Sequence, residues 1–330
     1  MTKADIAREW RSKNPDMPTL KLARIMYAKD GQAFHSIDHA RTTLRIIEGK
    51  SGKGNFKNAG KKETFFIEEP RPKNPYKLPE SDEAVYQPYI LNAKRVLLLS
   101  DIHVPYHSVD ALTVVFDYAK KQKPDAILLN GDTLDFFGLS KFCKDPRKRH
   151  FFQELETFKQ LIAVMQKQFP YSKLYFKTGN HEERYMHYLW MKAKELVGVE
   201  EFELENIIKA RANGIEIITD KRIIQANELN VIHGHEFASG FFSPVNVARG
   251  LYLRGKTNAI QGHNHQSSEH TEPNMNGKIT TTWSTGCLCE LHPEYLPINK
   301  WNHGFAMIDL DENKTDFQVR NMRIVKGKIV

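Results

Sequence analysis

Five short apolar runs in this chain each stop at residues of metal-ligand type, and four of the five stops have a glycine beside them. They are "RVLLLSDIH" (95–103), "AILLNGDTLD" (126–135), "KLYFKTGNHE" (173–182), "LNVIHGH" (229–235) and "AIQGHNH" (259–265). Short apolar runs bounded by turn signals read as buried strands. Residues i and i+2 of a strand share a side, so Asp101 and His103 can converge just past the first strand. Taken alone, "DIH" fits an ordinary loop pair equally well, with Asp101 capping a turn. The glycines (Gly131, Gly179, Gly234, Gly262) let the backbone turn sharply and approach its neighbours. Ligands of open α/β sheets bind at the carboxyl ends of the strands. A fold that aligned these five ends would gather all the polar stops in one place.

The segments between the runs support such a fold. "SVDALTVVFDYAKKQ" and "FFQELETFKQLIAVMQKQ" read as helices, so residues from Lys94 onward begin as strand–helix–strand units. After Ile215 the runs shorten to "IEIITD", "RIIQA", "LNVIHG", "NAIQG", "KITTTWSTG", "FAMIDL" and "FQVRNMRIV", mostly strand. The expected fold class is α/β: two sheets packed face to face with helices outside, plus a small N-terminal helical domain.

Two aspartates, an asparagine and four or five imidazoles suit borderline divalent cations such as Mn, Fe, Zn, Ni or Co. The number exceeds the needs of one ion and fits two that share a carboxylate. Two ions about 3.5–4 Å apart can clamp an in-line displacement at phosphorus.

The motifs "DIH", "GDTLD", "GNHE", "HGH" and "GHNH", in that order, resemble the five motifs of the calcineurin-like metallophosphoesterase superfamily, with none missing. The likeness covers about 95–310, and the wording of "NGDTLDFFGLSKF" and "WSTGC" is similar to members often found in phage-type genomes. The resemblance implies a two-sheet βαβ sandwich and a metal-dependent phosphoester hydrolase. It implies that Asp101, His103 and His265 hold one metal, that Asn180, His233 and His263 hold the other, and that Asp132 bridges them. His181 stands where the family has its general acid, and Asp135 where the family orients that histidine. His235 is expected behind the ligands or against the phosphate. Manganese is the expected ion, with Fe, Zn, Ni, Co or Mg as alternatives. Two dications lower the pKa of a shared water, and an imidazole held by a carboxylate can protonate the leaving alkoxide.

Other polar residues receive plainer readings. His107 is a rim residue or a helix-start residue. Arg184 is a phosphate contact or a surface ion pair, and Arg149 and Arg249 are similar. His35, His39, His150, His187, His270, His292 and His303 read as ordinary histidines. "FELENII" and "YMHYLW" read as core rather than as base-stacking platforms. Cys143, Cys287 and Cys289 cannot make a disulfide framework. The last two, set on one face of a strand, read as buried thiols, since no second pair completes a zinc site.

The net charge of +8 is unevenly placed. Residues 1–62 hold 14 Lys/Arg and 6 Asp/Glu, whereas the other 268 residues hold 34 of each. Residues 1–60 read as three short helices, "ADIAREWRSK", "PTLKLARIMYAKD" and "IDHARTTLRIIEGK", the last capped by Ser36 and carrying Arg41, Thr42 and Arg45. Three helices with a basic third resemble a helix-turn-helix domain, and a localised basic end is the footprint of nucleic-acid binding. A solvated basic tail is the plainer reading. "GKSGKGNFKNAGKK" (49–62) reads as loop. The stretch 61–94, with Pro70, Pro72, Pro75, Pro79 and Pro88, reads as an extended connector, and 95–330 as the catalytic domain.

The apolar runs fall short of the roughly 20 residues of a membrane span, and "MTKADIAREW" lacks the apolar core of a signal peptide. A soluble intracellular protein is expected. Two functions compete: a phosphodiesterase on nucleic acid or nucleotides, brought there by residues 1–62, and a phosphomonoesterase on a protein or small metabolite. A degenerate, non-catalytic binding scaffold is disfavoured by the complete ligand set.

Overall fold

A computed structural model of the chain describes residues 2–15, 17–48, 75–79, 87–141, 150–237, 245–313 and 315–330. The expected loop 49–62, most of the connector 61–94, Cys143 and Arg149 lie outside the described residues. The chain divides into two compact units, 1–82 and 83–330.

The first unit holds helices α1 (Lys3–Lys13), α2 (Thr19–Lys29) and α3 (Ile37–Ile47). Thr2 caps α1 in a reciprocal box with Asp5, and Ser36 Oγ accepts the His39 N–H to cap α3. Ala7, Leu22, Ala23, Met26, Phe34, Ala40 and Leu44 form its core. Arg11 pairs with Glu48, which ties α1 to the end of α3.

The second unit is built on two sheets. The strands are β1 (Tyr89–Ile90), β2 (Arg95–Leu99), β3 (Ala126–Asn130), β4 (Lys173–Lys177), β5 (Ile215–Ile218), β6 (Ile224–Ala226), β7 (Leu229–Val231), β8 (Ala259–Gln261), β9 (Ser268–Pro273), β10 (Ile279–Ser284), β11 (His303–Leu310), β12 (Phe317–Val325) and β13 (Lys328–Ile329). The helices are α4 (Val109–Gln122), α5 (Phe151–Gln168), α6 (Asn180–Lys192), α7 (Leu204–Ile207) and α8 (Val247–Gly255). One sheet runs β13-β12-β11-β2-β3-β4-β5, the other β1-β6-β7-β8-β10-β9. The strand-rich C-terminal half therefore does not make a sheet of its own. Strands β11, β12 and β13 extend the parallel β2–β5 array as antiparallel partners.

Side-chain alternation decides what each face touches. Val96, Leu98, Leu128 and Tyr175 point inward and meet Ile224, Leu229, Val231, Ile260 and Trp283 of the other sheet. Leu97, Leu99, Ile127, Leu129 and Phe176 point outward and pack beneath α4 and α5 through Val115, Phe158 and Ile162. Leu251 of α8 covers Ile232 and Ala259. Tyr89 and Ile90, inside the stretch read as connector, pair in parallel with Ile224 and Gln225. Strand β9, "SEHTEP", went unread because its mostly exposed, polar residues show no apolar alternation.

Candidate dinuclear active site

Strands β2, β3, β4, β7 and β8 all end at the same side of the two-sheet core, and the loops after them meet there. Asp101, His103, Asp132, Asp135, His233 and His265 are all buried. His103 Nε2 lies 3.2 Å from His265 Nε2 and 4.0 Å from Asp132 Oδ2. His265 Nε2 lies 3.2 Å from Asp101 Oδ1. On the other side of Asp132, Oδ2 is 3.3 Å from His233 Nε2 and 3.7 Å from His181 Nε2. One donor atom each of Asp132, His233 and His263 falls within 4.8 Å of the others, and the same holds for His103, Asp132 and His181. Asp132 thus belongs to both clusters.

Two glycines are needed for this closeness. Gly131 has φ +83°, and a Cβ on it would lie 2.3 Å from His233 Nδ1; a Cβ on Gly179 would lie 2.3 Å from Asp132 Oδ1.

The donor set fits cations. Among the described residues, Asn180 Oδ1 and His263 Nδ1 are buried without hydrogen-bond partners. Such orphaned groups are costly unless a ligand satisfies them. His233 Nδ1 is 2.9 Å from the Asn130 carbonyl, which places the hydrogen on Nδ1 and aims Nε2 at Asp132. Burial lowers His263 to about 4, with the His233 charge adding to it, so its imidazole is a free base. Burial alone would also depress His233 and His265, but the Asp132 and Asp101 carboxylates respectively outweigh it and raise each to about 10. Burial opposes ionisation of Asp101 as well; His265 overcomes it and holds the carboxyl at about 2. A dication binding here would displace the imidazole protons.

Asp135 orients two rings rather than one. Its Oδ1 is 3.0 Å from His103 Nδ1 and 3.2 Å from His181 Nδ1. His181 Nδ1 is also 2.9 Å from the Asp135 carbonyl oxygen. Among the described residues Arg184 makes no surface ion pair. Its Nη1 donates to the Asp135 carbonyl at 2.8 Å, and its Nη2 donates to His181 Nε2 at 2.8 Å. His235 sits beside His233, with Nε2 3.1 Å from Glu183 Oε1. His107 is half-buried just before the Ser108 cap of α4, bridged to Cys289 and apart from the ligand clusters. Arg249 lies exposed on α8. "YMHYLW" is only partly core: Tyr185 and Leu189 are buried, whereas Trp190 is half-exposed on a cleft with His187.

Several residues that the sequence reading passed over hold the site from behind. Glu182 Oε2 accepts the N–H groups of Asp132 and Gly179, and Oε1 accepts that of Leu134. Glu236 accepts the N–H groups of His233 and Gly234, and buried Lys177 pairs with it at 2.9 Å. An acid three residues after the start of a turn is the capping-box spacing, and both "GNHE" and "HGHE" display it. Cys287 and Cys289 are buried but belong to no strand; Cys289 Sγ is 3.9 Å from His265 Nδ1, and the Trp301 ring packs on His265 at 4.0 Å between centroids.

Residues 94–278, more than half of the chain, match the family described as calcineurin-like phosphoesterase. The chain is 25% identical over 231 residues to the Gene 54 protein of Mycobacterium phage L5, covering 66% of this chain and 90% of that one. Vps29 from Entamoeba histolytica complexed with zinc matches 72% of this chain and 96% of its own, at 14% identity and a TM-score of 0.37. A dimetal phosphatase from Danio rerio matches 70% and 96% respectively, at 10% identity and a TM-score of 0.34. No helix among the described residues is long and apolar enough to cross a membrane. With five strand ends converging on paired clusters of candidate metal ligands, and the family match spanning all five motifs, the chain belongs to the calcineurin-like phosphoesterases and is a metal-dependent hydrolase.

Proposed function

We propose that the protein is a dinuclear metal-dependent phosphodiesterase acting on nucleic acid or nucleotides. The observation that carries the hydrolytic part is the clustering of candidate metal-ligand atoms on both sides of Asp132, with Asn180 Oδ1 and His263 Nδ1 buried and unpartnered among the described residues. Asp101, His103, His265 and Asp132 would hold one ion, and Asn180, His233, His263 and Asp132 would hold the other. Bound ions of this kind supply a water acidic enough to act as nucleophile near neutral pH and neutralise charge on phosphoryl oxygens. The mixed oxygen and imidazole donors suit Mn²⁺.

The protein's own residues then position and protonate. Arg184 donates to His181 Nε2, so that nitrogen is an acceptor in the present arrangement. A phosphate oxygen is a stronger acceptor for a guanidinium than an imidazole nitrogen. Substrate therefore draws Arg184 away and leaves His181 Nε2 open to hold a proton for the leaving oxygen. Asp135 Oδ1 faces His181 Nδ1 at 3.2 Å and fixes the orientation of the ring.

The nucleic-acid part rests on the N-terminal unit. Its third helix exposes Thr42 and Arg45 and half-exposes Arg41, while Arg11 is spent inside the unit on Glu48. Phosphate contacts by such residues release counterions and are salt-sensitive. The test is purified protein with Mn²⁺, assayed on bis-4-nitrophenyl phosphate, 4-nitrophenyl phosphate and labelled single- and double-stranded DNA and RNA. The diester is expected to be cut faster than the monoester. Replacing Arg41 and Arg45 with Ala should reduce the salt slope of nucleic-acid binding by about 2. Hydrolysis of the monoester alone, with no salt-dependent polymer binding, would make the protein a phosphomonoesterase.

A further inference from the structure

Each ligand cluster is assembled from both sheets, and the sheets share no strand. Asn180 follows β4 of the seven-stranded sheet, whereas His233 and His263 follow β7 and β8 of the six-stranded one. Apolar side chains hold the sheets together, and apolar contact has no preferred direction. It sets the gap between the sheets but not how a donor on one faces a donor on the other. Directional bonds have to do that.

One such link is a buried ion pair. Lys177 is the last residue of β4, three before Asn180, and is fully enclosed. Its Nζ lies 2.9 Å from Glu236 Oε1 and donates to the Arg222 carbonyl at 2.6 Å. Glu236 Oε1 accepts the His233 N–H at 2.9 Å, and Oε2 accepts the Gly234 N–H at 2.6 Å. The turn so gripped is tight: Gly234 has φ +126°, and a Cβ on it would lie 3.0 Å from the His263 Cβ. Arg222 is itself fastened, donating to the Gln87 and Pro88 carbonyls at 3.0 and 3.2 Å. A continuous path thus runs from the backbone of Arg222 through Lys177 and Glu236 to the backbone of His233. Among the described residues, Asp101, His103 and His265 make none of these bonds.

A buried lysine and glutamate are a costly way to join two loops. Desolvation of both charges offsets what their attraction gains, and an apolar pair of the same size is often as stable. What the apolar pair lacks is a fixed length and direction. Resting on the ligand assignment above, we propose that Lys177 and Glu236 are positioning residues for one ion alone, the one assigned to Asn180, His233 and His263, and that they set the distance between the Asn180 loop and the His233 loop. Asn130 fixes the ring of His233, and the ion pair fixes the backbone that carries it. The two ions therefore differ in what each demands of the protein behind it.

The test is a Mn²⁺ titration of the full-length chain, with free Mn²⁺ counted by electron paramagnetic resonance. The native protein should take two ions per chain. Lys177→Met combined with Glu236→Gln removes both charges and keeps the two shapes, so the metal-free double variant should melt close to the native temperature. It should bind one ion as the native protein does and the other about 10–100-fold more weakly. Single deletions tell the two ions apart. In a His263→Gly background, which disables the Asn180 side, adding the two substitutions should change nothing. In a His265→Gly background they should weaken the ion that remains. Native affinity for both ions in the double variant overturns the proposal, and so does equal weakening of both. A pair that serves stability alone predicts another pattern: Lys177→Met lowers the melting temperature, and adding Glu236→Gln restores it together with the metal affinity. If the double variant does not fold, Glu236→Gln alone, which leaves Lys177 on the Arg222 carbonyl, carries the same comparison. Fewer than two ions in the native protein means that the ligand assignment itself fails, and the proposal falls with it. Two native ions with no selective loss in the variant means that the positioning role fails alone.

Discussion

The two units of this chain put their charges in opposite places. In the N-terminal unit every fully buried described residue is apolar, and most of its charges lie at the surface. In the catalytic unit Asp101, Asp132, Lys177, Glu182 and His233 are enclosed almost completely. Burying a charge costs several kcal/mol unless partners repay it, so such a centre is not built for stability. The difference separates two electrostatic settings. One unit presents solvated cations that act over a distance and are screened by salt. The other holds desolvated acceptors that act only on contact.

The largest expected effect follows from removing the residue between the clusters. Asp132→Ala should lower kcat by on the order of 10³-fold or more, and bound metal, measured by mass spectrometry, should fall below two ions per chain. Full activity with two ions retained would show that the buried charges serve packing after all.

A narrower effect is expected at His181. His181→Ala should keep both ions and slow hydrolysis of alkoxide esters by about 10²–10⁴-fold, with a smaller loss for nitrophenyl esters, whose leaving group needs no proton. Equal losses for the two classes would remove the acid role.

The smallest effect concerns a buried carboxyl outside the ligand set. Burial raises Glu154 to about 8, and the Asp135 charge adds to this against the Phe136 N–H, which favours the carboxylate. The folded protein holds this proton more tightly than the unfolded chain. Its contribution to stability is therefore complete below the ordinary value of 4.5 and is lost as pH rises through about 8. Glu154→Gln should flatten that part of a melting-temperature profile. An unchanged slope would mean that other groups dominate it.

The ligand side chains were legible in the sequence because each ends an apolar run, and burial dictates the run. The residues that brace them were not, because Glu182 and Glu236 act on backbone N–H groups, which carry no letter. Their three-residue spacing, Gly179 to Glu182 and His233 to Glu236, was present but belonged to capping rather than to metal chemistry. Trp301, packed on His265, was invisible for another reason. It lies in an irregular segment, where no periodicity links one residue to the next. The N-terminal helices were found by their caps and apolar spacing, and the parallel strands by continuous burial. Strand β9 lacked both signals.

Five of the ligand-type residues, Asp101, His103, Asp132, His263 and His265, have left-handed backbones, with φ from +49° to +66°. That conformation costs an L-residue roughly 1–2 kcal/mol, so the loops carry a backbone penalty of their own. Swapping a ligand here changes more than a side chain. Alanine removes the donor and keeps the bend's penalty, whereas glycine removes the donor and relaxes it. For this centre glycine is the gentler deletion, and alanine and glycine pairs at one position distinguish a lost ligand from a loosened loop.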